Sequence, residues 1–377
     1  MIAALRYFLI RLGLCSVIDR PDYLAKINKE THPELCVSFK EWLENNKLDS
    51  LASLFEFPIT IMGYGQLRHI ATPYALRYMS LKTFFPMVAP QLPLIGWIIA
   101  ILFPWPRRFT MGFQRLWQKV AWRLNVRLNI EILKIERNGP TSEAPIVIKF
   151  KYVQQELNQI DKAEASMHFD YLVLACPLTN DVFKQLGLPR TEGEKIFDKI
   201  IVNPYCMTTY WVNKLNMPQP IAPVLPLTKL GKPWAVAQQF NHKNNFFTQF
   251  YTRPKPIMNE DSQLDESKMH WDQMGNHDLE KKYSDKIEEE VKEGVKEMIR
   301  MLGGEIDPTK SHWHSYDRFT YFQHVTHEEI SDKYYEKLAD LQGKDKTFYV
   351  GGVTDFELVE PIVQHSKYLV EKYFVGK

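Results

Sequence analysis

The chain lacks an excess of either charge. Its 47 basic residues face 45 acidic ones, so no field exists that would gather nucleic acid or an acidic partner. It also lacks CxxC pairs: Cys15, Cys36, Cys176 and Cys206 are far apart, which suggests neither a zinc site nor a disulfide framework but reduced, mostly buried thiols. No GxSxG elbow or Ser-His-Asp order supports a hydrolase. No GxGxxG occurs, and Gly63-Tyr64-Gly65 has neither the third glycine nor a preceding βαβ unit. Long apolar runs are missing too. The most apolar stretch, Phe84 to Pro106, is punctuated by five prolines, and its Pro-free part from Leu94 to Phe103 is about half the roughly twenty residues of a spanning helix.

That stretch has two readings. One is a buried or cavity-lining helix with irregular flanks. The other is a monotopic anchor giving peripheral membrane contact, with Trp97 and Trp105 at the interface and Arg107 and Arg108 facing lipid headgroups. The N-terminus, MIAALRYFLIRLGLC, is apolar but interrupted by Arg6 and Arg11, and Asp19-Arg20-Pro21-Asp22 follows where a cleavage site would lie. It reads as an amphipathic helix that buries its Leu, Ile and Phe face. A cytoplasmic chain, membrane-associated only on the anchor reading, is the expectation.

With 377 residues, 45% of them hydrophobic, the chain can form two intimately connected domains. SFKE, Ser38 to Glu41, fits a capping box before Trp42 and Leu43; Asp49 can cap a helix containing Leu51 and Leu54, and Gly63 to Gly65 marks a bend. Phe113, Leu116, Trp117, Val120, Ala121 and Leu124 share one helical face after Gly112, and Asn125 closes that helix. Val126 to Glu136 and Ile146 to Tyr152 alternate as strands. Phe169 to Cys176 is nearly continuous and apolar, as a strand covered on both faces would be. Tyr205 to Val212, Trp234 to Phe240 and Phe246 to Tyr251 read as further strands. Pro254 to Asn276 reads as an exposed loop. Tyr283 to Leu302 forms a long amphipathic helix ending at Gly303-Gly304.

Chemistry is best sought in KTFYVGGVTDFELVEPIVQHSKYLVEKYF, Lys346 to Phe374. It reads as strand, glycine turn and helix, with Ile362, Val363, Leu369, Val370 and Tyr373 on one helical face. Gly351-Gly352 lets backbone N–H groups approach a ligand, the following helix favours an electron-rich group, and Pro361 suits its first turn. His312, His314, His324 and His327 cluster without supporting ligands, so no metal site is expected and they read as surface or loop histidines. Lys229 and Lys232 read as solvated turn lysines.

The succession GFQRLWQKVAWRL, VRLNIEILKIER, FDYLVLACPL and FYVGGVTDFELVEPIVQHS resembles the later part of the flavin amine oxidase superfamily. The V-x-x-I-x-R pattern is matched at Ile132, Ile135 and Arg137, and the small-residue-Pro-Leu turn at Ala175, Pro177 and Leu178. Tyr321, HVTHEEI, Leu341-Gln342-Gly343 and the closing glycine turn are similar in particular to FAD-dependent oxidoreductases and polyunsaturated fatty-acid isomerases of that superfamily. The likeness covers most of the chain after Pro33. It implies FAD as cofactor, with an adenine contact at Ile132, Gly351 and Gly352 near pyrophosphate and ribitol, and Val359, Glu360 and Ile362 at the helix start over the flavin pyrimidine. Gly352 stands where the wider family has an acidic residue, and the family's N-terminal GxGxxG segment is not in this sequence.

The resulting expectation is an α/β chain with α+β elements, a partial FAD-binding Rossmann-like domain and an interleaved substrate domain of mixed sheet and helices. Residues 1–110 supply the helical part of the substrate domain and 111–190 part of the FAD-type domain. Residues 191–335 supply the substrate-domain sheet and long helix, and 336–377 the closing strand, turn and helix. The function implied is hydride transfer between flavin and a small lipophilic molecule, by an oxidoreductase or double-bond isomerase. The alternative is a non-catalytic remnant that binds a lipid or partner without FAD. Neither a catalytic residue nor an oligomeric state is legible.

Overall fold

A computed structural model describes residues 2–88, 109–138, 143, 145–153, 164–217, 220–226, 231–242, 245–252, 277–306 and 315–375. The stretches 89–106 and 254–276, with Arg107, Arg108, Lys229, His312 and His314, lie outside the described residues. The chain begins with helices α1 (Ile2–Gly13), α2 (Cys15–Ile18), α3 (Phe39–Asn45), α4 (Ala52–Ile61), α5 (Thr72–Tyr78), α6 (Leu81–Val88) and α7 (Phe113–Ala121). Strands β1 (Ile130–Arg137), β2 (Ile146–Tyr152), β3 (Ala165–Phe169) and β4 (Leu172–Leu174) follow, then α8 (Asn180–Gln185). Next come β5 (Ile201–Val212), β6 (Ile221–Pro223), β7 (Pro233–His242), β8 (Asn245–Thr252), α9 (His277–Met301) and β9 (Ser315–His324). Helices α10 (His327–Ser331) and α11 (Tyr334–Ala339), strand β10 (Thr347–Tyr349) and α12 (Val359–Tyr373) complete it. The mixed α/β character expected from the sequence is present.

Two compact units divide these elements. The first comprises Met1–Val37, Thr72–Ile200 and His327–Lys377; the second comprises Ser38–Ala71 and Ile201–Thr326.

In the first unit, β1, β2 and β3 form an antiparallel meander, with Ile132 opposite Phe150 and Ile146 opposite Phe169. β4 and β10 form a separate parallel pair. The expected continuous strand from Phe169 to Cys176 is broken at Asp170 and Tyr171, and Val173 is 53% exposed while Leu172 and Leu174 are buried. Only one face of β4 is therefore covered by the described residues. The amphipathic helix at the N-terminus forms, but the expected burial of its Leu, Ile and Phe face does not occur: Tyr7 and Arg11 are buried, and Ile2, Leu5, Leu9 and Leu12 are exposed. The reason is polar. Tyr7 donates its hydroxyl to the Met79 carbonyl at 2.5 Å, and Arg11 Nε donates to the Leu76 carbonyl at 3.2 Å, satisfying backbone acceptors at the end of α5. Arg11 also pairs with Asp19. Helix α7 ends at Ala121, earlier than Asn125, and none of its residues is buried.

In the second unit, five strands order as β6-β7-β8-β5-β9, all antiparallel. Val291, Val295, Met298 and Ile299 of α9 pack with Tyr210, Val212, Val236 and Phe250 of the sheet as one apolar cluster. This is the face that the helical spacing of α9 presents, and Gly303, at φ +69°, follows the helix end. Ser38 Oγ accepts from the Glu41 N–H at 3.2 Å, so the capping residue performs as its sequence suggests. Asp49 does not cap α4; it lies inside a 3-10 turn, Asp49–Leu51, that leads into the helix. At the Gly63 bend, with φ +83°, an added Cβ would sit 2.6 Å from the Tyr321 ring. His324 is buried rather than at the surface. Burial drives its pKa down to about 4, and its Nδ1 donates to the Phe322 carbonyl at 2.6 Å.

Candidate functional site

The glycine turn forms where two parallel strands end. Val350 N–H donates to the Leu174 carbonyl at 3.0 Å, extending the β4–β10 ladder by one bond. Gly351 follows at φ +119°, a conformation that L side chains rarely adopt, and an added Cβ there would have only the Ala175 carbonyl within 4 Å, at 3.9 Å. The small-residue-Pro-Leu turn after β4 and the glycine turn after β10 are thus brought together. Ligands of open α/β sheets bind just outside the carboxyl ends of strands. The helix begins at Val359, where the sequence places its start, and a 3-10 turn, Gly352–Thr354, with Asp355 to Leu358, leads from the glycine turn into it.

All six candidate residues lie in the first unit. Gly351 and Gly352 are in the turn. Val359 and Glu360 are exposed and Ile362 half-buried in the first turn of α12, whose N-cap, Leu358, supplies no side-chain cap. Ile132 is half-buried on the meander, a different sheet, beside a register shift in β1. Glu357, which sequence reading passed over, folds back over Gly352. Its Oε1 lies 3.0 Å, and its Cγ 2.3 Å, from where a Cβ of residue 352 would stand. A side chain at residue 352 would collide with Glu357.

Between meander and turn stands a buried ionic cluster. Glu194 is fully buried and accepts from Arg137 Nη2 at 2.9 and 3.1 Å, the Thr191 N–H at 2.6 Å and the Tyr349 hydroxyl at 2.6 Å. Burial, then the Glu194 carboxylate, pushes the Tyr349 phenol well up, so it remains the donor. Arg137 ends β1 and Tyr349 ends β10, two residues before Gly351. The cluster therefore fixes the end of the meander to the glycine turn. Arg137 was legible as part of a pattern; Glu194 carried no signal because its side-chain partners, Arg137 and Tyr349, are distant in sequence.

Asp355 lies beneath the turn. It is 1% exposed, and neither carboxylate oxygen has a hydrogen-bond partner among the described residues. Arg77 Nη2 is 3.6 Å away, and the Arg77 guanidinium stands 5.0 Å over the Tyr23 ring while Nη1 donates to the Ile18 carbonyl at 2.9 Å. Burial raises the Asp355 carboxyl from 3.8 to about 7 against the pull of Arg77. Nearby, His365 Nδ1 donates to the Pro21 carbonyl at 2.6 Å, and burial lowers its pKa.

Among the other residues singled out by sequence, Lys232 pairs with Glu297 at 2.8 Å and is a surface residue of the second unit. No group of three or more metal-ligating side chains occurs among the described residues. No helix among them is long and apolar enough to cross a membrane.

A glycine turn at the carboxyl ends of parallel strands, tied to an antiparallel meander, defines a mixed α/β architecture. No protein-family model matches the sequence, and no curated protein matches it. Solved structures do. A CLA-producing fatty acid isomerase from P. acnes superposes with a TM-score of 0.61 at 18% identity, covering 96% of this chain and 74% of its own. Putrescine oxidase bound to putrescine superposes with a TM-score of 0.51 at 12% identity, covering 95% of this chain and 74% of its own. The chain thus shares its fold with these two structures.

Proposed function

We propose that this chain carries part of a FAD site and belongs to a flavin-dependent oxidoreductase or double-bond isomerase acting on a small lipophilic molecule. The observation that carries this reading is Gly351: a backbone that only glycine adopts easily, at the ends of β4 and β10, with an open approach. The start of α12, without a side-chain cap, adds the N–H groups of Val359 and Glu360, which as first-turn donors have no intrahelical acceptor. A flavin bound there would supply hydride transfer. This chain's share is to receive an electron-rich ring edge at Val359, Glu360 and Ile362, to bring pyrophosphate against Gly351 and Gly352, and to meet adenine at the Ile132 backbone. Glu357, over Gly352, takes the place of the acidic side chain that residue 352 lacks. The fatty acid isomerase supports a lipophilic substrate, and the sheet of the second unit is the substrate-binding part on this reading.

The purified chain, mixed with FAD and passed through gel filtration, is expected to retain a flavin spectrum. Gly351→Val should weaken retention at least tenfold, since a branched side chain is strained at that φ. A wild-type chain that stays colourless and leaves FAD fluorescence unchanged rejects the reading.

A second reading, a lipid-binding chain without flavin, draws on α1. Ile2, Leu5, Leu9 and Leu12 recur at helical spacing and are exposed, and Tyr7 and Phe8 of the same helix meet Phe84 and Phe85 at 4.6 and 5.3 Å. Such a stripe suits an interfacial helix. Co-sedimentation with phosphatidylcholine–phosphatidylserine liposomes is expected to fall severalfold in Leu5→Asp/Leu9→Asp; a chain that stays in the supernatant removes this reading.

A further inference from the structure

Helix α7 and the chain on either side of it form an apolar row that the described residues leave uncovered. From Phe109 to Asn129 every residue is exposed except Leu116 and Ala121, which are half-buried. Phe113, Trp117 and Val120 are 48%, 44% and 41% exposed, and Trp122, just past the helix end, is 90% exposed. Phe109 meets Phe113 at 5.5 Å, and Phe113 meets Trp117 edge-on at 5.6 Å. These rings pack on one another along the surface, and no residue of the helix is buried. An exposed apolar side chain here and there is ordinary; a continuous row of them marks an interaction site.

The charge around this row has one sign. No Asp or Glu occurs from Phe57 to Ile130, whereas nine Lys and Arg do, and in the rest of the chain acidic residues outnumber basic ones. Four of the nine, Arg115, Lys119, Arg123 and Arg127, belong to this segment and are exposed. At about 100° per residue, Phe113, Leu116, Trp117 and Val120 share one arc of α7, while Arg115 and Lys119, a helical turn apart, stand on the other side. A helix with an aromatic and aliphatic face, a basic polar face and little net hydrophobicity lies in the plane of a membrane interface. No helix among the described residues is long and apolar enough to cross a membrane.

From these features we infer that α7 and its flanks, Phe109 to Leu128, form a docking surface for an anionic phospholipid bilayer. Phe113, Trp117 and Val120 enter the boundary of the acyl chains, Trp122 sits at headgroup level, and the four cations meet headgroup phosphate and carboxylate. Charge complementarity selects this occupant. A polyanion such as RNA satisfies the cations but leaves Val120 and Leu124 in water, and a second copy of the chain brings the same cations against themselves. Each Lys or Arg near an anionic surface strengthens binding by roughly fivefold. The surface is separate in sequence from the Leu5 and Leu9 stripe of α1, and it stands independently of the flavin reading.

The test sediments the full chain with vesicles of equimolar phosphatidylcholine and phosphatidylserine, and with vesicles of phosphatidylcholine alone. Binding to the mixed vesicles is expected to exceed binding to phosphatidylcholine by roughly tenfold or more. Phe113→Ser/Trp117→Ser and Arg115→Glu/Lys119→Glu should each weaken binding to the mixed vesicles by roughly tenfold or more. Both pairs should keep the wild-type urea midpoint, because no residue of α7 is buried. Amide exchange from Phe113 to Ala121 should slow when the mixed vesicles are added. A chain that stays in the supernatant overturns the inference, as does equal binding to phosphatidylcholine alone. Binding that survives either double substitution also overturns it; if Leu5→Asp/Leu9→Asp then removes that binding, α1 is the lipid-binding element instead. Tighter binding to polyuridylate than to the mixed vesicles assigns the surface to nucleic acid, and a dimer that Phe113→Ser/Trp117→Ser dissolves and vesicles leave intact assigns it to a second copy; either result overturns the inference. Flavin retention is read separately and bears on the FAD reading alone.

Discussion

Arg137→Met is expected to destabilise the chain by about 3–5 kcal/mol, because it leaves the fully buried Glu194 carboxyl group without its counter-ion. The remaining donors, Thr191 N–H and the Tyr349 hydroxyl, are neutral and cannot replace a guanidinium. Arg137→Met/Glu194→Met should recover much of the loss, since two apolar side chains of similar length carry no desolvated charge. Urea midpoints for the four members of this cycle measure the coupling. Additive losses with no coupling would show that the two groups act independently. The substitution should reach the glycine turn as well. Tyr349, bonded to the same carboxylate, stands two residues before Gly351, so Arg137→Met should also speed amide exchange at Val350 and Gly351.

Asp355→Asn is expected to remove a pH dependence from stability. The folded carboxyl binds its proton up to about pH 7, whereas an ordinary aspartate releases it near 3.8. Between those values the native state holds more protons than the unfolded chain, so this group's contribution falls as pH rises from about 4 to about 7. At ~1.4 kcal/mol per pH unit the change across the window is a few kcal/mol. His324 acts in the opposite sense: its folded pKa, about 4, is depressed from 6.5, so its contribution rises with pH over that interval. His365, also depressed, acts in the same direction as His324. Both histidines are common to wild type and variant, so the difference between the two urea-midpoint profiles isolates Asp355. Parallel profiles from pH 4.5 to 7.5 would show that Asp355 ionises as an exposed carboxyl does. Arg77, at 3.6 Å, is the charge that opposes the effect of burial.

How far the sequence reached can be judged element by element. The α9 register was fully legible, because four buried positions at helical spacing are a local property of the chain. So was the Ser38 cap, whose partner is three residues away. The N-terminal helix was legible as a helix but not in its orientation. Its Leu and Ile residues outnumber Tyr7 and Arg11 in hydrophobicity, yet the carbonyls of Leu76 and Met79 draw those two inward. Similarly, FDYLVLAC carried the apolar signature of a strand covered twice, and only the absence of a second neighbour among the described residues leaves Val173 in solvent. At the candidate site the glycines were visible as punctuation. The groups that give the turn its electrostatics, Glu194, Asp355 and Glu357, were not.

By itself the sequence determined the long helix that ends before Gly303, the strands of the meander, the glycine turn at Gly351, and the resemblance that sets four stations in a flavoenzyme order. These depend on periodicity, on backbone freedom and on contacts within a few residues. The tertiary structure alone decided which face of α1 is buried, which carboxylates lie beside the turn, and that Val173 of β4 is exposed. Each of those outcomes depends on backbone and side-chain groups far apart in the chain meeting with their hydrogen-bonding capacity satisfied or left over, and no local pattern encodes that sum.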